Sequence, residues 1–479
     1  MSSPAQPSNR KFYLLVAAFL LAAVLMGVLT ASRSGPTELE RLKAELRAKG
    51  EKLTLDELMA GTVSTNRASS RAADMERIVK ALRARSLRVE NLEVLHHLGD
   101  GSVEPVWSRT NLLTTAGKSS PGSTHEWSAL KEDLAAVETE MAEALALVAV
   151  PDMDAGLNYD ISSSVYEHRS TKNYLIRWLA ALHALHLRDG RHADARLALD
   201  AATQLVAWHR DELTVEDQRS RIALATVALN LTWSTMQSKV LSDERLKELL
   251  DRWQALGMAD QFLRALEVER AIGQRAFAVA HERGVSELLG ASERVLEPLW
   301  RMTANRDEEF FLRQFQAILD MARNGARAMS FGQVKTQLAA KDAELGALLS
   351  SWRRVEFLVT GMTRVGYAAN ERIQQGFHRY ETHRSMSLAA LALELHRRKH
   401  GRHPDSLEQL MPELLPSVPV DWMDGKPIRY RLNPDGTFTL WSVGDNLTDD
   451  GSDASGAPVN MRRNTIWEGR DAVWPRLPP

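Results

Sequence analysis

The sequence predicts a mainly α-helical protein: a single N-terminal transmembrane helix, a body of helical hairpins packed as a bundle or a tetratricopeptide-like solenoid, and a small C-terminal α+β domain. Three observations carry this. An uncharged apolar stretch fills 12–31. Apolar residues then recur at helical spacing from Thr37 to about Arg398, divided mostly by short turns. Beyond His400, prolines and alternating apolar positions replace that period. The implied organisation is a cytoplasmic N-terminus over 1–11, the membrane helix over 12–31, a helical region over 32–150 with a long loop at 99–125, a helical-hairpin domain over 151–384 and the α+β domain over 385–479.

Phe12 to Ala31 holds no charge, and at ~1.5 Å per residue such a helix matches a hydrocarbon core about 30 Å thick. Arg10 and Lys11 precede it, which keeps the N-terminus in the cytoplasm and puts the body outside, as a single-pass inner-membrane protein with a periplasmic or extracytoplasmic mass. A cleaved signal peptide is the rival reading. Its apolar region is usually about 7–15 residues, and Leu29 stands where a small residue is wanted before Ala31. Nothing from Ser32 onward spans again.

Composition narrows the function. The chain has 479 residues, 44 % hydrophobic and 25 % charged, which suits globular domains with real cores. A net charge of −2 gives no global reason to bind nucleic acid. The absence of cysteine excludes disulfides, thiolate zinc sites and cysteine catalysis in this chain.

Along the body, Leu39, Leu42 and Leu46 mark a helix that Gly50 is placed to end, and Thr54 with Glu57 forms a capping box. Further helices are expected over 68–89, 126–150, 171–188, 191–211, 215–239, 243–255 and 258–281. Another runs over 287–323 with a break or kink at Pro298, and two or three cover 335–398 with a break near Thr382–Ser385. Short turns between amphipathic helices make neighbours antiparallel. The segment 189–205 is similar to one tetratricopeptide hairpin, with no clean 34-residue repeat around it. In the tail, Ile428, Tyr430 and Leu432 alternate with polar residues, Phe438, Leu440 and Ser442 do so in reverse, and Asn433-Pro434-Asp435-Gly436 supplies the turn of a β-hairpin.

The tail motifs HGRHPDSLEQL, PVDWMDGKPIRYR and DGTFTLWSVGDNLTDDG follow a helix and are followed by GRDAVWP. In that order they resemble the C-terminal globular domain of type II secretion major pseudopilins, over about 385–479. The resemblance implies a pseudopilin-like α+β domain, attachment to a secretion or pilus-like system, and calcium in the acidic loop. Two features differ from that family: some 350 residues separate the membrane stretch from this domain, and Lys11-Phe12 and Val16 stand where pseudopilins carry Gly-Phe and a glutamate. The whole arrangement also resembles uncharacterised membrane-anchored helical proteins of planctomycete- and verrucomicrobium-like bacteria.

Candidate sites follow. Asp445, Asn446, Asp449, Asp450 and Asp453 offer the oxygens Ca²⁺ takes, although Leu447 breaks an EF-hand spacing, and a solvated Asp/Gly turn is the plainer reading. His396 and His400, four apart on one helix, are a chelating pair in form; His403 lies outside the helix, and Arg397, Arg398 and Lys399 would repel a cation. His183, His186 and His192 read first as packing histidines. The His-Glu pairs at 125–126 and 281–282 lack the second histidine of a zinc protease, and Ser162–Ser164 with Tyr159 and Asp160 read as loop. Trp178, Trp208 and Trp233 read as core. The expected function is a membrane-anchored scaffold or binding protein with other envelope proteins as partners. The alternatives are a secretion-system component, or an enzyme whose site is assembled from 99–125 and 152–170.

Overall fold

The computed structural model describes residues 36–60, 70–84, 95–97, 103–105, 127–150, 166–208, 212–238, 241–290, 294, 296–350, 357–362, 371–455 and 466–474. These are mainly helical, with a small strand region. The expected fold class needs correction on one point. No helix among the described residues is long and apolar enough to cross a membrane, and the stretch 12–31 lies outside them. The long helices Ala259–Arg283, Glu297–Ala328 and Glu371–His400 carry charges throughout. Each Asp, Lys or Arg at a bilayer centre costs about 2.5–3.5 kcal/mol.

The chain divides into two compact units that share it in alternation. One takes Met1–Gly61, Glu267–Leu319 and Ala340–Ala369; the other takes Thr62–Leu266, Asp320–Ala339 and Asn370–Pro479.

In the first unit the helix Pro36–Ala48 buries Leu39, Leu42 and Leu46, and Gly50 beyond it takes φ 85°, which costs an L side chain strain. Thr54 and Glu57 form the expected capping box. Pro298 lies in the first turn of Glu297–Ala328 and so helps start that helix, where its missing N–H costs nothing, rather than kinking one. The ring of Phe311 fills the space over Gly273 so closely that a Cβ there would stand 2.2 Å from it. The fully buried Arg270 donates to Glu51 (2.9 Å), the Lys52 carbonyl (2.9 Å) and Gln316 (2.5 Å). Lys43 meets Glu308 at 2.7 Å, and His281 reaches the same carboxylate at 3.1 Å while packing on Trp300.

A second tie centres on Asp307. Its carboxylate accepts from the Trp300 indole (2.9 Å), the Val359 and Thr360 amides (2.9 and 3.2 Å) and the Thr360 hydroxyl (2.5 Å), fastening Leu358–Met362 to the long helix. Burial pushes this carboxyl up to about 6, against four donors that favour the ionised form.

In the second unit the helices Tyr166–Arg188, His192–Trp208 and Val215–Gln237 pack on one another, and Glu371–His400 packs on both Val215–Gln237 and Asp243–Ala255. A solenoid helix touches only its sequence neighbours, so this is a bundle, closed by a helix from more than a hundred residues downstream. Trp178, Trp208 and Trp233 are buried in it. The region expected as one helix over 126–150 is two, Trp127–Ala135 and Glu138–Val148. Leu95–His97 (β1) and Val103–Pro105 (β2) pair antiparallel at the edge of the expected loop 99–125; the rest of that loop, and 152–165, lie outside the described residues.

The break expected near Thr382–Ser385 does not occur: Glu371–His400 is continuous. Its polar run is buried because distant segments use it. Tyr380 donates to the Leu256 carbonyl (2.8 Å), Glu381 accepts from the Met258 amide (2.6 Å), and Thr382 accepts from the Trp422 amide (2.9 Å).

The tail builds Val420–Asp421 (β3) against Lys426–Pro427 (β4), and a separate antiparallel sheet of Arg429–Leu432 (β5), Phe438–Ser442 (β6) and Ala472–Trp474 (β7) in the order β5-β6-β7. Tyr430 faces Leu440 and Leu432 faces Phe438, so the expected hairpin is present. Met423 and Val443 from this tail join Phe331, Val334 and Leu338 in a buried apolar cluster.

Candidate functional site

The richest concentration of polar chemistry among the described residues lies where the tail meets Glu371–His400. Its centre is Asp421, fully buried at the end of β3. The carboxylate accepts from the Met423 amide (3.0 Å), the Val443 amide (3.0 Å), the Ser442 hydroxyl (2.8 Å) and Arg429 Nη1 (2.8 Å). Burial raises its pKa against those donors. Arg429 spreads its guanidinium over three carboxylates, reaching Asp424 at 2.6 Å and Asp449 at 3.2 Å besides Asp421. Burial acts to lower its pKa, but the hydrogen bond and charge of Asp424, then Asp421, raise it overall.

Turn chemistry places these groups. Gly425 takes φ 80° to turn β3 back into β4, and a Cβ there would stand 2.8 Å from the Ala328 carbonyl oxygen, so both backbone conformation and space call for glycine. That turn sets Asp424 beside Arg429.

The five residues singled out for calcium lie in one loop but are spent on different partners. Asp445 takes the fork of Arg379. Asn446 accepts from the Thr448 amide (2.9 Å) and donates to Asp450 (2.7 Å). Asp449 accepts from the Trp441 indole (3.0 Å), which with Arg429 holds its carboxyl below the usual range. Asp453 accepts from the Ser455 amide (2.8 Å). The loop is instead organised by Asp471, which accepts the amides of Asp450, Ser452 and Asp453 at 2.8–3.2 Å. Among the described residues, no group of three or more His, Asp or Glu side chains is placed to hold a metal ion.

The sequence reading did not single out Asp421, Asp424, Arg429 or Asp471. The signal was faint but present: three of them fall within VDWMDGKPIR, where carboxylates and an arginine flank an Asp-Gly turn.

The histidines separate into two kinds. His183 is buried, and its ring lies 2.7 Å from the Thr235 hydroxyl. That hydroxyl donates to the Leu231 carbonyl (2.8 Å), so it can only accept from His183 Nε2–H. Burial, with the charge of His186, lowers the His183 pKa to about 3, which keeps it neutral. His186 is buried beside it. His403 is buried against Phe438. His396 and His400 stay near the surface on the last turn of the long helix, their rings 4.3 Å apart. His281 takes part in the Glu308 tie; His125, Glu126, Tyr159, Asp160 and Ser162–Ser164 lie outside the described residues.

A second buried charge cluster belongs to the bundle. Lys172 pairs with Glu212, both buried, and burial lowers the lysine pKa against the attraction of Glu212. Gln218 donates to the Glu212 carbonyl (2.7 Å), Arg221 to the Val206 carbonyl (3.1 Å), and Asp217 closes a capping box with Thr214. Together they clamp the turn entering Val215–Gln237.

No protein-family model, curated protein or solved structure matches this chain.

Proposed function

We propose that the chain is a helical scaffold or binding protein that acts by presenting surfaces rather than by catalysis. The observation that carries this reading is how its buried ionisable groups are used. Asp307, Asp421, Arg270, the Lys172–Glu212 pair and His183 all face donors or acceptors of their own fold. A catalytic group must face a substrate instead. The groove lined by Arg196, Asp200, Arg245 and Arg252 supports the same reading. It has room for about one water molecule, and Arg245 and Arg252 are tied to Glu248 and Asp200. The test is a photo-cross-linking residue at Leu197, which is 50 % exposed on a bundle helix. A discrete adduct with one partner, displaced by excess unlabelled protein, supports the reading. Turnover of an ester, phosphate or glycoside substrate that is abolished by Lys172→Met overturns it.

A second reading, that the tail docks onto a secretion or pilus-like assembly, is favoured by one observation. The order helix, proline-rich turn, hairpin, acidic loop and closing strand is the order its resemblance implies. A rise in melting temperature at millimolar calcium, lost in Asp449→Ala, supports a pseudopilin-like tail; no shift counts against calcium binding.

A further inference from the structure

Two helices of the first unit run in the same direction. Lys43 of Pro36–Ala48 meets Glu308 of Glu297–Ala328 at 2.7 Å, and Glu51, just past the first helix, accepts from Gln316 at 2.9 Å. The two contacts follow in the same order and at the same spacing along both segments, so both helices start at one end of the unit. Back from the Lys43–Glu308 contact, Pro36 lies about 11 Å along its helix, and Met302 and Leu299 lie about 9 and about 14 Å along the other. The C-terminus of Ala259–Arg283 arrives at the same end: His281 reaches Glu308 at 3.1 Å, and Glu297 accepts from the Val285 amide at 2.6 Å.

That end carries uncovered apolar side chains. Leu299 is 46 % exposed and Met302 37 %, two of the four large apolar side chains exposed among the described residues. Three apart on one helix, they are neighbours on its surface, and Pro298 beside them is exposed too. The exposed charges that flank them in the chain are mixed: Arg283, Arg294 and Arg301 against Glu282 and Glu287, with Arg301 engaged by Glu297 at 2.7 Å. The patch is apolar with a rim of both signs.

The chain upstream of Pro36 points to the occupant. The uncharged apolar run 12–31 ends at Ala31, so at most about 18 Å of extended chain joins it to this end of the unit. A run of that length and apolarity favours hydrocarbon over water, and a bilayer that takes it up is held within reach of Leu299 and Met302.

We propose that this end of the first unit rests on a lipid bilayer, with Leu299 and Met302 set into the boundary between headgroups and acyl chains. The flanking arginines lay their stems along that boundary and keep their guanidinium groups in water. With charge of both signs at the rim, the contact is apolar; it needs no anionic lipid and is not screened by salt.

The chain has no cysteine, so single ones can be introduced as label sites. Leu299→Cys, Met302→Cys and Lys49→Cys, the last exposed just past the opposite end of Pro36–Ala48, are each labelled with bimane. The full-length chains are reconstituted with phosphatidylcholine vesicles that carry a nitroxide quencher at the headgroup boundary. Quenching at 299 and 302 is expected to exceed that at 49 by at least about twofold, and to persist in about 0.5 M salt. Equal quenching at all three positions overturns the proposal, as does failure of the chain to associate with the vesicles. A label at 299 or 302 that neither the lipid nitroxide nor water-soluble iodide reaches also overturns it, because a protein surface or the run 12–31 itself then covers the patch. Quenching that requires anionic lipid overturns the apolar contact.

Discussion

Asp307 and Asp421 are both buried carboxylates that fasten sequence-distant segments, one in each unit, yet they are satisfied differently. Asp307 collects only uncharged donors, and burial holds its carboxyl near 6. Asp421 collects backbone amides and the Ser442 and Thr382 hydroxyls as well, but adds one side of a guanidinium that Asp424 and Asp449 also share. Its pKa is raised too, because a divided counter-charge does not offset burial and the nearby Asp424. Dipoles alone leave a buried acid sensitive to pH; a shared arginine makes it dependent on that arginine.

The sharpest test of this contrast removes each carboxylate. Asp421→Ala leaves Arg429 short of a partner and two buried amides unpaired, which should cost about 3–5 kcal/mol. Asp307→Ala orphans only neutral donors and should cost about 2–3 kcal/mol. Amide hydrogen exchange over 420–443 and over 357–362 reads the two sites separately. Equal losses would remove the distinction.

Acid separates the units further. His183 and His378 are lowered to about 3 and about 4 by burial, below an ordinary 6.5. Their contribution is fully present above 6.5 and lost as pH falls from there toward the folded values. Between pH 7.5 and 4.5 the second unit should lose about 2–3 kcal/mol per histidine. Asp307 has the opposite sign: raised from 3.8 to about 6, it binds its proton more tightly when folded. The same drop in pH should therefore return about 2 kcal/mol to the first unit. Exchange protection corrected for intrinsic rates should move in opposite directions; parallel movement would show that these groups do not set the pH response.

Two glycines compare packing across the units. Gly273→Ala drives a methyl into the Phe311 ring, and Gly425→Ala meets both a 2.8 Å backbone clash and a positive φ. Each should cost about 1–3 kcal/mol in thermal or urea unfolding, with the ring at 311 better able to yield than the carbonyl at 328. The smallest effect belongs to exposed charge: Lys247→Ala breaks a pair with Asp251 and should change stability by under about 0.5 kcal/mol.

What was legible in the sequence was local. The capping box at Thr54, the helices expected over 243–255 and 215–239 (the latter observed as Val215–Gln237) and the hairpin around Asn433–Gly436 follow from spacing and turn residues within a few positions of one another. What was not legible depends on distant partners. The sequence predicts a break near Thr382–Ser385, yet the helix runs on: Glu381 and Thr382 are buried and accept the amides of Met258 and Trp422, partners far away in sequence. Trp300 and Asp307 lie seven apart on one helix face, a readable spacing, but the second half of that tie comes from Val359 and Thr360. The acidic loop was found as a cluster of carboxylates; its inward-facing amides, gathered by Asp471, were invisible because the sequence shows side chains and not backbone direction.

The alternation of the two units along the chain bears on synthesis. The piece ending at Gly61 belongs with segments that close only at Ala369, so it emerges some three hundred residues before its last companion. At roughly 5–20 residues per second, that is a wait of about 15–60 s on the ribosome. The amphipathic helix Pro36–Ala48 gains its first companions only with Glu267–Leu319, whose Glu308 pairs with Lys43, so Leu39, Leu42 and Leu46 pass about two hundred residues of synthesis without them, about 10–40 s. That interval of synthesis is when its apolar face lacks the burial that the folded unit gives it.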